Sequence, residues 1–148
     1  MPNAAESALR LENQLCFAVH SAAHGFAQAY KPLLEPIGLT YPQFLVLLCL
    51  WEKGNQSVSE LGARLYLDSG TLTPMLKRME KADLVTRRRD LVDERLVRIA
   101  LTVKGEALRE KAAEIPIAMG CITGLGQEAA DQLRTAMKAL ANNLRAAA

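Results

Sequence analysis

The stretch SVSELGARLYLDSGTLTPMLKRMEKADLV, residues 57–85, constrains the fold of this chain more than any other. Ser57 with Glu60 three residues on is a capping-box pattern, and Leu61 and Leu65 set the buried face of a short helix. YLDSG interrupts that helix, and a second one runs to about Ala82. Pro74 has no amide hydrogen and is comfortable only in a first helical turn, which predicts a cap near Thr71 or Thr73. The period then changes. Val85 and the series Val97, Ile99, Leu101 alternate as strand residues do, with RRRDLVDER between them as the tip of a β-hairpin. Two short helices joined by a tight break, followed at once by a basic hairpin, form the pattern of a winged helix-turn-helix over about residues 55–101.

The flanks are helical. From about Asn13 to Leu33 the apolar positions Leu15, Val19, Ala22, Phe26, Tyr30 and Leu33 recur at spacings of three and four, until KPLLEPIG breaks the run. A second segment, about Tyr41 to Lys53, is apolar nearly all round and should be buried on most sides, with Gly54 at the usual stop position. Beyond the hairpin, helices are expected over Val103 to about Met119, kinked or shortened by Pro116, and over Gln127 to about Arg145. With 148 residues, half of them hydrophobic, the chain has enough material for one domain with a real core, spanning residues 1–148 and mainly α. Its start lacks the basic patch and apolar stretch of a signal peptide. The longest apolar run, Phe44–Trp51, falls short of the roughly 20 residues that span a bilayer, so the chain reads as cytoplasmic with no membrane segment.

The second helix of such a unit enters the major groove of double-stranded DNA and offers base edges the side chains near its N-terminus. Here those are Ser69, Thr71 and Thr73, short hydroxyls that donate or accept, while Lys77 and Arg78 reach phosphates. The wing concentrates positive charge on Arg87, Arg88, Arg89, Arg95 and Arg98. A net charge of only +2 is no objection, because DNA needs a local stripe. Alone, such a run of charge is as readily a solvated face. Coupled to the helix pair and the hairpin in this order, it points to DNA.

Three cysteines in a reducing compartment are no standing disulfide framework. Cys49, inside LLCLW, belongs to the core. Cys16 lies in a first helical turn if Asn13 caps that helix, and there the helix dipole and free amides favour a thiolate. Such a thiolate attacks a peroxide to give a sulfenic acid, which condenses with a second thiol. Cys121, in the Gly-punctuated MGCITGLG, is the candidate partner, and plain packing is the competing reading of Cys16. Cys16, His20 and His24 cannot share one metal ion, since eight residues at 1.5 Å rise separate the outer two by roughly 12 Å. No metal site is expected, and the histidines are structural or tune the thiol. There is no nucleotide-binding glycine loop, nucleophile elbow or zinc-protease helix, so no catalytic residue and no cofactor is assigned. A thiol peroxidase is the weaker reading, because nearly half the chain makes up a DNA reader.

LENQLCFAVHSA, YKPLLEPIGLTYPQFLVLL, LYLDSGTLTPMLKRME and DERLVRIALT together resemble the MarR family of dimeric winged-helix repressors. Within it, QLCF and LDSGTLTPMLK resemble the organic-hydroperoxide-sensing OhrR branch of two-cysteine type. The resemblance implies a homodimer built by the helices at about 10–35 and 103–146, reading an inverted repeat with two recognition helices. It implies Ser69 and Thr71 at base edges, and Asp93 orienting Arg95 of the wing tip in the minor groove. It implies Cys16 as the peroxide-sensing cysteine, Tyr30 and Tyr41 of a second subunit hydrogen-bonding its sulfur, and Cys121 closing a disulfide between subunits. The effector is then an organic hydroperoxide and the outcome release of DNA. In this branch a tyrosine commonly follows the sensing cysteine by one turn; this chain has His20, which can still donate a hydrogen bond or, protonated, favour the thiolate. A family member released by a small phenolic ligand, with Cys16 incidental, is the alternative.

Overall fold

The computed structural model describes residue 1 and residues 3–148. They cluster into two compact units, Met1–Ile115 and Pro116–Ala148. In the first, a short helix α1 (Ala4–Ala8) and a 3-10 turn precede α2 (Leu15–Leu34), α3 (Tyr41–Lys53), strand β1 (Gln56–Ser57), α4 (Val58–Leu65), α5 (Ser69–Lys81), strands β2 (Val85–Arg89) and β3 (Val97–Leu101), and α6 (Val103–Ala112). Helix α7 (Glu114–Thr123) begins there and runs into the second unit, which also holds α8 (Gln127–Ala146). This is the mainly α winged-helix fold expected from the sequence.

Helix α3 starts where the chain offers a reciprocal cap: Thr40 Oγ1 accepts from the Gln43 amide, and Gln43 Oε1 accepts from the Thr40 amide. Its Phe44, Val46, Leu47 and Leu50 are buried in the core together with Leu61 of α4, Leu72, Leu76 and Met79 of α5, and Ile99 of β3. Cys49 is buried among them, as its apolar surroundings in sequence predict. The Ser57–Glu60 box is formed and opens α4. The hairpin is antiparallel with Arg87 facing Ile99 and Arg88 facing Arg98. A third strand, not anticipated, completes the sheet: Gln56 and Ser57 pair with Ile99 and Arg98, in the order β1-β3-β2. Two residues are too few for alternation to register as a strand.

Several boundaries move. Asn13 is not the cap of α2, because its side-chain amide donates to the Ser7 carbonyl at 2.8 Å. Gln14 takes the cap position, one residue later, yet its amide turns back to the Ala8 and Arg10 carbonyls. Helix α5 is capped by Asp68, whose carboxylate accepts from the Thr71 amide at 2.8 Å, and not by Thr71 or Thr73. Pro74 therefore sits inside the helix, where it has no amide hydrogen to offer the preceding turn, while Asp68 supplies the cap. Arg87, Arg88 and Arg89 belong to β2, not to the tip. The expected helix from Val103 to Met119 is divided at Ala113, close to the carbonyl that Pro116 cannot bond. Cys121 lies within α7 and not in a Gly-loosened loop, since the first glycine of MGCITGLG with a positive φ is Gly124, at 67°. No single helix among the described residues is long and apolar enough to cross a membrane.

Candidate functional site

Helix α5 is two-sided because Leu72, Met75, Leu76 and Met79, three and four apart, are buried. The same spacing leaves Ser69, Thr71, Lys77 and Arg78 exposed, with Thr73 half-buried. The five residues of this helix assigned to DNA from the sequence thus lie clear of its buried stripe. Asp68, which those assignments passed over, holds the first turn; the DSGT spacing of a cap and its N3 amide was the available signal.

The hairpin tip is built on two aspartates. Asp90 Oδ1 accepts from the amides of Val92 and Asp93, at 2.8 and 2.9 Å. Asp93 accepts from the Arg95 amide at 3.1 Å and grips the guanidinium with both oxygens, Nε to Oδ1 at 3.0 Å and Nη2 to Oδ2 at 3.1 Å. Such a fork leaves the orientation of Arg95 little freedom, yet its side chain is 89% exposed. Bonding to Arg95 holds the Asp93 carboxyl below its ordinary range. The Asp90 carboxyl falls to about 2, first through the Asp93 amide, then through Arg98 and the Val92 amide. Leu91 and Val92 at the apex are almost wholly exposed.

The five wing arginines are not equivalent. Arg87 turns to α5, where its guanidinium meets Glu80 at 3.7 Å and its amide donates to the same carboxylate. Arg98 turns to Asp90 and to Glu60 of α4. Arg88, Arg89 and Arg95 remain exposed, so the outward charge of the hairpin is narrower than the sequence implies.

A second candidate site involves α2 and the start of α3. Cys16 is the second residue of α2 and exposed, in a first turn whose amides receive no side-chain cap. His20 and His24 follow on the same helix, also exposed. Tyr30 and Tyr41 pack against one another with ring centroids 4.5 Å apart and planes tilted by 34°, and burial raises both phenol pKa values above the ordinary one. Fourteen residues of helix separate Cys16 from Tyr30, about 21 Å at 1.5 Å per residue. Within one chain the tyrosine pair is therefore out of reach of the sulfur. Beside Tyr41 is an open cavity of about 290 Å³, lined by Ala27, Lys31, Leu34, Glu35, Leu39 and Thr40 as well. No cluster of His, Cys, Asp and Glu among the described residues could hold a metal ion.

Two further faces are apolar and uncovered. Helix α8 carries Leu133, Met137, Leu140 and Leu144 as a stripe, yet none of its 20 residues is buried. On α2 only Leu34 is buried, while Leu15, Phe17 and Phe26 are exposed.

The profile of the MarR family matches residues 39–97, from the turn before α3 to the first residue of β3. The organic hydroperoxide resistance transcriptional regulator of Bacillus subtilis strain 168 is 49% identical over 132 residues, which is 89% of this chain and 88% of that protein. Reduced AbfR bound to DNA superposes with a TM-score of 0.79 at 38% identity, covering 95% of this chain and 96% of that one. Disulfide-formed AbfR superposes less closely, with a TM-score of 0.66 at 38% identity over 92% of this chain and 96% of that one. AbfR is a protein of Staphylococcus epidermidis.

Proposed function

Because this chain belongs to the MarR family and is a transcriptional regulator, not an enzyme, we propose that it is a homodimeric repressor that releases DNA when an organic hydroperoxide oxidises Cys16. The lobe at about 55–101 reads the DNA, and the helices at about 10–35 and 103–146 form the dimer. Two copies of α5 enter successive major grooves of an inverted repeat, with Ser69, Thr71 and Thr73 toward base edges and Lys77 and Arg78 toward phosphates. Asp93 aims Arg95 into the minor groove. The uncovered apolar faces of α2 and α8 support the dimer, since stripes of that size belong at interfaces.

In the chemical step the Cys16 thiolate attacks the peroxide O–O bond. The sulfur takes the distal oxygen as a sulfenic acid, and the alkoxide leaves and is protonated to an alcohol. The Cys121 thiol of the second subunit then displaces water to form the disulfide. The peroxide is the oxidant for both electrons, and no further reagent is needed. Tyr30, too far along α2 to serve its own Cys16, and Tyr41, packed against it at the start of α3, serve that of the second subunit and hydrogen-bond its sulfur. His20 tunes the thiol. Two recognition helices must meet the groove about one turn apart, roughly 34–36 Å, so a crosslink that shifts them by a few ångströms releases DNA.

The observation that carries this reading is an exposed thiol in the uncapped first turn of α2, in a chain 49% identical to a regulator of organic hydroperoxide resistance. The experiment is fluorescence anisotropy on DNA upstream of the protein's own gene at fixed salt, titrating cumene hydroperoxide into the wild type and Cys16→Ser. Release by the wild type, none by the variant, and recovery with a dithiol are expected. Binding by both without any response overturns the reading. The cavity beside Tyr41 favours a second reading, release by a small phenolic ligand, in which a phenol dissociates both proteins equally.

A further inference from the structure

Arg98 sits on the central strand of the sheet, opposite Ser57 on one side and Arg88 on the other. Two like charges directly opposite each other destabilise a strand pair. Here one of the two is turned away. Arg98 Nε donates to Asp90 Oδ2 at 2.7 Å, and its Nη1 donates to Glu60 Oε2 at 3.2 Å. Neither carboxylate is idle. The same Glu60 oxygen accepts from the Ser57 amide at 2.7 Å as part of the cap of α4, so it is tied to the helix-turn-helix. Asp90 accepts from the amides of Val92 and Asp93 through its other oxygen, so it shapes the apex. Asp93 in turn grips Arg95. A continuous relay of hydrogen bonds and backbone therefore runs from the cap of α4 through Glu60, Arg98, Asp90 and Asp93 to an exposed guanidinium.

We propose that Arg98 is a positioning residue for DNA recognition: bridging Glu60 and Asp90, it fixes the attitude of the wing tip relative to the helix-turn-helix and so aims Arg95. It makes no DNA contact of its own. The inference rests on the reading of the hairpin as a DNA-contacting wing. A planar fork is what the position requires, because one guanidinium edge serves each carboxylate; a lysine keeps the charge but not the two fixed directions.

The test is a set of double-mutant cycles read by anisotropy on the operator over a range of salt. Arg98→Gln, Arg98→Lys and Asp90→Asn are each made in the wild type and in Arg95→Ala. In the wild-type background all three should weaken binding by about tenfold, the scale of losing one arginine contact. In Arg95→Ala none should weaken it further, because what they aim is already gone. Asp90→Asn keeps the volume and leaves β3 untouched, so the relay stays testable if an Arg98 variant folds poorly. Rescue by Arg98→Lys, or an undiminished loss in Arg95→Ala, makes Arg98 a phosphate contact and overturns the proposal while the wing reading stands. If Arg95→Ala binds as the wild type does, the wing reading fails and the relay with it.

Discussion

The indole of Trp51 donates from Nε1 to the backbone carbonyl of Gly105 at 3.1 Å, joining the last turn of α3 to the first turn of α6 across 54 residues of sequence. The start of α6 is fastened to the corner before β2 as well. Thr102 donates its amide to the Leu84 carbonyl at 3.1 Å, and its hydroxyl oxygen accepts from the Gly105 amide at 3.0 Å. The helix leaving the wing is thereby anchored to the helix-turn-helix that the wing flanks.

That anchorage leaves no room at Gly105. A Cβ there would lie 2.1 Å from the Leu84 carbonyl oxygen, a backbone atom that cannot swing aside. Gly105→Ala should cost about 3 kcal/mol of stability, the upper range of overpacking, and depress the thermal midpoint. A midpoint within a degree of the wild type would mean that the α6 start is not held as described.

Asp68 gives α5 its first turn. Asp68→Ala removes the acceptor of the Thr71 amide and should cost about 1 kcal/mol in a denaturant titration. Its effect on DNA should be disproportionate, because Ser69 and Thr71 lie in the turn that frays. Asp68→Asn, an equally good cap, should restore both stability and binding. Loss of binding with Asn as severe as with Ala would instead make the carboxylate charge the relevant property.

The apolar stripe of α8 predicts an oligomeric state. Leu133 and Leu144 are 45% and 64% exposed in the single chain. Leu133→Glu with Leu144→Glu should yield a monomer in sedimentation velocity and, on the proposed dimeric reading, abolish operator binding. A double variant that sediments as the wild type does would separate α8 from the interface.

Wherever periodicity and capping are local, the chain was readable in advance. The helix Tyr41–Lys53, the Ser57–Glu60 box and the alternating strands on either side of the wing match the structure, because a side-chain oxygen three residues from its amide needs no distant partner. Asp68 is legible too, as a carboxylate three residues before the Thr71 amide, although Pro74 by itself points to a later cap. The strand Gln56–Ser57 was not legible, because two residues become a strand only when β3 arrives beside them. Nor was the sorting of the wing arginines. In sequence Arg87, Arg88 and Arg98 are interchangeable positive charges; packing then puts Glu80 beside the first and Glu60 and Asp90 beside the last, and leaves Arg88 outside. The packing of Tyr30 on Tyr41 follows the same rule, since it depends on how the turn at Gly38 folds α3 back toward α2. The sequence by itself determined the longer helices and the two strands of the hairpin, because their periodicity and caps are local. Only the tertiary structure decided which charges are used up internally and which are left to act, because an ion pair is made across space and carries no period along the chain.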